Sequence, residues 1–256
     1  MKAVILAGGM GTRLREETEF RPKPMIEIGG RPILWHIMKY LSSFGINDFI
    51  ICIGYKGDYI KEYFTNYQTL SHDVTVKLGQ ISGITRHDVG ALENWTVTLA
   101  DTGLTTMTGG RLKKVEKYLN GETFLCTYGD GLANIDIYQL VQFHESHGRV
   151  ASVTAVRPTS RFGAMDISGD STVRNFSEKP KSDAWVNGGY FIFENDVFNY
   201  LSDDSVLEKT PLEKLAQSSQ LKAYKHEGFW QPMDTYRETQ ELNELWIQDQ
   251  APWKVW

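Results

Sequence analysis

The sequence predicts a three-layer α/β protein: a mostly parallel, mixed sheet covered by helices, with a small added β subregion. Three observations carry this reading. Strand-like apolar runs alternate with helix-like segments from residue 2 to residue 156, the pattern of repeated strand–helix–strand units. The first run breaks into glycines, as turns over the carboxyl edge of such a sheet do. After residue 157 the strands shorten and lose their intervening helices, so the added part is of β character.

Taken in order, Lys2–Ala7 reads as a strand stopped by Gly8-Gly9. Pro32 opens and Gly45 closes a helix over Ile33–Phe44, where Ile33, Leu34, Ile37, Met38, Leu41 and Phe44 form one apolar, core-facing stripe. A strand at Asp48–Gly54 and a helix at Asp58–Tyr67 follow. Gln80–Glu93 is polar and gives no periodic signal. Trp95, Val97 and Leu99 alternate with Thr96 and Thr98, a strand with one buried face, and Gly109-Gly110 opens a short helix near Arg111–Tyr118. Thr123–Thr127 is a strand, Asp136–Ser146 a helix and Val150–Val156 a strand. Short strands at Ala164–Ile167, Val173–Glu178 and Gly188–Phe193 make up the added subregion. Thr235–Asp249 is an amphipathic helix, with Trp253 and Trp256 beyond it as exposed-looking aromatics suited to an intersubunit surface. No linker, repeat or low-complexity tract divides the chain, so one domain over residues 1–256 is expected.

The formal net charge of −5 over 256 residues offers no basic field for a nucleic-acid partner. No run approaches a membrane span or a secretory apolar segment, so a cytoplasmic protein is expected. Cys52 and Cys126 sit inside apolar runs as small buried hydrophobes. His144 and His147 share a helix face without a third ligand and read as solvated rather than metal-bound.

The chemistry begins at Leu6-Ala7-Gly8-Gly9-Met10-Gly11-Thr12-Arg13-Leu14. A glycine turn after a strand exposes backbone N–H groups that can cradle phosphates. It is not a dinucleotide fingerprint, because Leu14 stands where a third glycine is required, and no Gly-Lys-Ser/Thr occurs to make a Walker loop. Arg21-Pro22-Lys23-Pro24 follows, with two prolines stiffening the backbone that carries Lys23. Glu16, Glu17 and Glu19 break up the surrounding charge, so Arg13 and Lys23 read as individually aimed cations, and Arg15 and Arg21 as surface charges. Further on, Tyr128-Gly129-Asp130-Gly131 leaves a strand at the ligand edge, and Asp234 precedes the last helix. Each aspartate fits either a turn or helix cap or a hard divalent cation.

The glycine loop together with Pro22-Lys23-Pro24-Met25 resembles the signature of nucleotidyltransferases that make nucleotide-activated sugars. The resemblance implies a Rossmann-like nucleotidyltransferase core, with a nucleotide-binding half to about residue 130, a sugar-binding half over about 131–234 and a C-terminal helix and tail at 235–256. It implies Mg2+ held by Asp130 and Asp234, and catalysis by Arg13 and Lys23. Nucleotide contacts are implied at Leu6, Ala7, Gly8, Gly9, Gly11, Thr12, Arg13, Lys23, Thr106, Arg111 and Gly129. Sugar-phosphate contacts are implied at Gly163, Glu178, Lys179 and Asn187. The segments Asp101–Gly103 and Met107–Arg111 and the ending from Gly228 to Trp256 are most similar to members that use CTP and glucose 1-phosphate and assemble as homo-oligomers, a hexamer included. Thymidylyl or uridylyl transfer keeps the same loop and carboxylates; a silent nucleotide-binding domain would have no need of all of them. A metal-dependent glycosyltransferase would offer an Asp-x-Asp pair, and Asp130 is followed by Gly131-Leu132.

Overall fold

The computed structural model describes residues 1–14, 18–80, 83–87, 92–160 and 162–256. Its centre is a seven-stranded sheet of β1 (Lys2–Leu6), β2 (Asp48–Ile53), β3 (Thr96–Asp101), β4 (Phe124–Tyr128), β5 (Ala151–Val156), β6 (Val186–Phe193) and β7 (Leu221–His226). The spatial order is β7-β5-β6-β4-β1-β2-β3. Neighbours pair in parallel except at β6, which runs antiparallel to both β4 and β5, giving the mostly parallel mixed sheet expected.

Alternate residues of the central strands feed two separate cores. Ala3, Ile5, Phe49, Ile51 and Leu125 face one cluster, which includes residues of α1 (Ile33–Ser43), α4 (Ile137–His147) and α6 (Tyr236–Ile247). Val4, Leu6, Ile50, Cys52, Phe124 and Cys126 face the other, with α3 (Thr108–Val115) and α5 (Thr210–Gln217). Helices on both faces explain why these strands are continuous apolar runs rather than alternating ones. α2 (Gly57–Thr65) follows β2, with the short helix Tyr67–Leu70 after it. The added β subregion is the antiparallel hairpin Ala164–Ile167/Val173–Ser177; the third strand expected there, Gly188–Phe193, instead belongs to β6 inside the central sheet, where Tyr190–Phe193 are buried and pair with β4.

Several details depart from the sequence expectations. The helix expected near Arg111–Tyr118 begins earlier, at Thr108, because Gly110 N reaches Ser205 O at 3.0 Å and only a glycine-rich first turn admits that backbone. Part of the unreadable Gln80–Glu93 is a strand, Ile84–Arg86, paired with Val74–Val76; all of these residues are exposed, so burial writes no alternation into them. Ile81, Ser82 and Asp88–Ala91 of that stretch lie outside the described residues, as do Arg15, Glu16 and Glu17. Trp253 is fully buried, stacked on Phe229 and Trp246. It closes this chain's own core and is not available to an intersubunit surface.

His144 is buried too. Its Nε2 lies 3.0 Å from Glu194 Oε1 and its Nδ1 2.9 Å from Ser152 Oγ, which is 2.8 Å from His147 Nε2. Arg149 N–H in turn donates to His147 Nδ1. The run is satisfied with each Nε2–H donating and each Nδ1 accepting, a structural network that ties α4 to β5.

Candidate active site

β1 and β4 lie in register with Leu6 beside Tyr128, so the chains leaving their carboxyl ends start together. Ala7 N donates to Cys52 O at 3.0 Å and Gly129 N to Leu6 O at 3.1 Å, after which the glycine loop opens. Arg13 falls in the short 3-10 turn Thr12–Leu14, and its side chain is outside what is described. A second 3-10 turn, Lys23–Met25, holds Lys23 between Pro22 and Pro24, the rigid lysine the two prolines predict.

The two aspartates are joined by a short antiparallel pairing of Gly131–Ala133 with Trp230–Pro232, in which Pro232 opposes Gly131; Met233 N donates to Asp130 O at 2.8 Å. The open question of whether Asp234 merely caps the last helix is answered by its neighbour. Thr235 is the N-cap: its Oγ1 accepts from Glu238 N, and Glu238 Oε2 accepts from Thr235 N at 2.8 Å, a complete capping box. The Asp234 carboxylate is therefore turned elsewhere.

It is turned to Lys23. Lys23 Nζ lies 2.6 Å from Asp130 Oδ2 and 2.7 Å from Asp234 Oδ1, with its side chain only 10% exposed. Burial opposes the charge, yet Asp130 and Asp234 together outweigh it and hold the ammonium above the usual lysine range. Two carboxylate oxygens converging on one cationic point also fit a hard divalent ion that completes its shell with phosphate oxygens and water. Among the described residues no group of three or more His, Cys, Asp or Glu side chains assembles as an all-protein metal cage.

Three cavities meet at Asp234. One of about 420 Å³ is lined by Leu6, Ala7, Gly8, Gly9, Gly11, Thr12, Lys23, Thr106, Arg111, Gly129 and Asp130, bringing together the expected nucleotide and metal residues other than Arg13. A second, of about 290 Å³, adds Asn187, Tyr190 and Trp230. A third, of about 550 Å³, runs from Asp234 to Lys179. Gly163 and Glu178 sit side by side on the exposed hairpin, outside these three cavities.

Arg111 reaches the first cavity from α3, but its N–H groups are occupied by protein. They donate to Gly8 O and Gly103 O at 2.9 Å, Thr102 Oγ1 at 2.6 Å, Ile53 O at 3.2 Å and Leu104 O at 3.3 Å. Burial lowers its pKa from the usual guanidinium value. Its fork holds the glycine loop against the Gly103–Leu104 turn. Two site features carried no motif. Tyr128, between the first two cavities, donates to Glu208, which also accepts from Thr108 Oγ1 at 2.6 Å; burial and the Glu208 charge raise the Tyr128 pKa.

Comparison with known proteins accords with this geometry. The family model for nucleotidyl transferases matches residues 2–235. The chain is 53% identical to glucose-1-phosphate cytidylyltransferase of Salmonella typhi over 100% of both chains. It is 29% identical to D-glycero-alpha-D-manno-heptose 1-phosphate guanylyltransferase of Campylobacter jejuni over 86% of each. In fold it matches apo UDP-glucose pyrophosphorylase with a TM-score of 0.69 at 17% identity, over 97% of this chain and 98% of that one. With the glycine loop, Lys23 and Pro24 on one cavity and the family model spanning nearly the full sequence, the chain belongs to the nucleotidyl transferase family.

Proposed function

We propose that the protein transfers a cytidylyl group from CTP to α-D-glucose 1-phosphate, giving CDP-glucose and pyrophosphate. The observation that carries this is identity of 53% over the full length of both chains with a relative of that activity. The convergence of Lys23, Asp130 and Asp234 where three cavities join supports it independently.

The attacking group is the sugar phosphate, whose second pKa of about 6 leaves it dianionic at neutral pH, so the site has no need of a general base. One of its oxygens attacks the α-phosphorus of CTP, and the bond to the β-phosphate bridging oxygen breaks with the electron pair leaving on pyrophosphate. The protein's task is to hold two anions in line and offset the growing charge. In this reading the glycine loop and Gly129 seat the nucleotide, with Thr106 and Arg111 on the opposite wall. Lys23 and Arg13 are assigned to its phosphates, and Lys179, on the third cavity, to the sugar phosphate. Asn187, Glu178 and Gly163 serve the sugar, the latter two by the hairpin folding toward the site. Asp130 and Asp234 would hold Mg2+, which supplies neutralisation of phosphate charge.

We place the reaction in the cytoplasm and the enzyme in a homo-oligomer, with a hexamer as the form to test by light scattering. No helix of the described residues is long and apolar enough to cross a membrane, and the exposed Phe162, Met165, Ile167, Val173 and Phe176 form the kind of apolar patch that associates. The test of the reaction is pyrophosphate release with CTP, glucose 1-phosphate and magnesium, omitting each in turn. Release that needs all three is expected; none from folded protein, across several sugar phosphates, would overturn the proposal.

A further inference from the structure

Beside Thr106 on the wall of the first cavity, two cations leave one face of α3. Arg111 and Lys114 stand three residues apart, so their side chains leave the helix together. Between them they hold successive carbonyls of the turn after β3: Lys114 Nζ donates to Thr102 O at 2.9 Å, and Arg111 donates to Gly103 O and Leu104 O. The turn is wrapped so closely that a Cβ on Gly103, which sits at φ +95°, would stand 2.9 Å from Thr106 Oγ1 and 3.5 Å from Lys114 Nζ. Lys114 Nζ also donates to Thr106 Oγ1 at 3.2 Å.

Thr106 borders the cavity, on the wall formed by α3 and the turn preceding it. Lys23, Asp130 and Asp234 take the phosphate end, which leaves that wall to the base. Of the other hydroxyls lining the cavity, Thr108 and Tyr128 both donate to Glu208, and Thr12 lies on the glycine-loop side. Thr106 differs. The Lys114 ammonium engages one lone pair of its oxygen, and among the described residues its own proton has no acceptor, which leaves the hydroxyl biased to donate to a ligand in the cavity.

We infer that Lys114 is a specificity-determining positioning residue: by engaging Thr106 as an acceptor it turns that hydroxyl into a donor that selects cytosine over uracil. Cytosine presents a bare ring nitrogen, N3, in the middle of its pairing edge, and the Thr106 proton meets it. Uracil presents N3–H at that point, and a hydroxyl whose proton is turned to the ligand and whose oxygen already holds the Lys114 ammonium accepts it poorly, a mismatch that discriminates between similar ligands. The inference rests on the proposed use of CTP.

The experiment measures kcat/KM for CTP and for UTP, with glucose 1-phosphate and magnesium saturating, in wild type, Lys114→Met, Lys114→Arg, Thr106→Val and the double variant Lys114→Met/Thr106→Val. Lys114 is exposed, so Lys114→Met is expected to fold, and melting temperature verifies it. The CTP-to-UTP ratio should fall about tenfold in Lys114→Met, through the nucleotide KM, in line with one hydrogen bond. It should survive in Lys114→Arg. Thr106→Val should lower it as far, and adding Lys114→Met to Thr106→Val should change nothing more, the signature of coupled residues. A ratio unchanged in Lys114→Met, or equal loss with both nucleotides, overturns the inference while leaving the reaction standing. A wild-type enzyme with no preference for CTP overturns the proposed nucleotide as well.

Discussion

Two lysines are proposed to meet phosphates in this protein, and they are built differently. Lys23 is locked between prolines, nearly buried, and bonded to two carboxylates from distant parts of the chain. Lys179 stands at the end of the exposed hairpin in a left-handed backbone conformation, φ 48°, beside a broad cavity. Such a conformation costs a non-glycine residue of order 1 kcal/mol and persists where its surroundings require it. The contrast teaches where the enzyme invests rigidity. The side proposed for nucleotide and metal is built on the parallel sheet, whereas the side proposed for the sugar is carried on an exposed hairpin.

The comparison can be broken first at Lys23. Lys23→Ala should lower kcat about a thousandfold, the scale of removing a preorganised transition-state charge, with little change in melting temperature when magnesium is present. Circular dichroism melts beside steady-state kinetics check it; an unfolded variant would make Lys23 structural. Lys179→Ala should instead raise KM for glucose 1-phosphate about 10- to 100-fold, the range of a lost charge-assisted hydrogen bond, while KM for CTP holds. Equal loss for both substrates would erase the distinction between the two halves.

A third test concerns the core behind the rigid side. His36 is fully buried, with Nε2 on Ile28 O at 2.8 Å and Nδ1 accepting from Trp253 Nε1 at 3.3 Å, and burial lowers its pKa to about 4. A depressed histidine pKa leaves stability intact above the unfolded value of about 6.5 and removes it as pH falls toward 4, because the unfolded chain takes up the proton first. Chemical-denaturation midpoints should decline through that window, and the His36 ring should remain neutral by NMR at pH 5.5. The smallest effect is expected at the cap that frees Asp234: Thr235→Ala should cost about 1 kcal/mol in denaturant unfolding, with a modest rise in the magnesium required.

How much of this was legible beforehand follows from how local each signal is. The glycine loop, the proline-flanked Lys23 and the strand-end Asp130 are encoded in contiguous residues, and each appears at the cavity. Asp234 was ambiguous because the sequence shows Asp234-Thr235 together, and only geometry assigns the cap to Thr235. Glu208 and Lys114 act through contacts with distant turns, so no spacing reveals them. Trp253 looked exposed because a short tail after an amphipathic helix gives no sign of folding back onto Phe229 and His36. The exposed strands at Val74–Val76 and Ile84–Arg86 were hidden for the opposite reason: without a buried face, a strand has no periodicity to read.

The most direct test of the central claim is a single competition. Purified protein is given glucose 1-phosphate and magnesium with equimolar CTP, UTP, dTTP, ATP and GTP, and the sugar nucleotides formed are identified by mass spectrometry. The account predicts CDP-glucose as the dominant product with one pyrophosphate released per molecule; another nucleotide sugar in its place would contradict it.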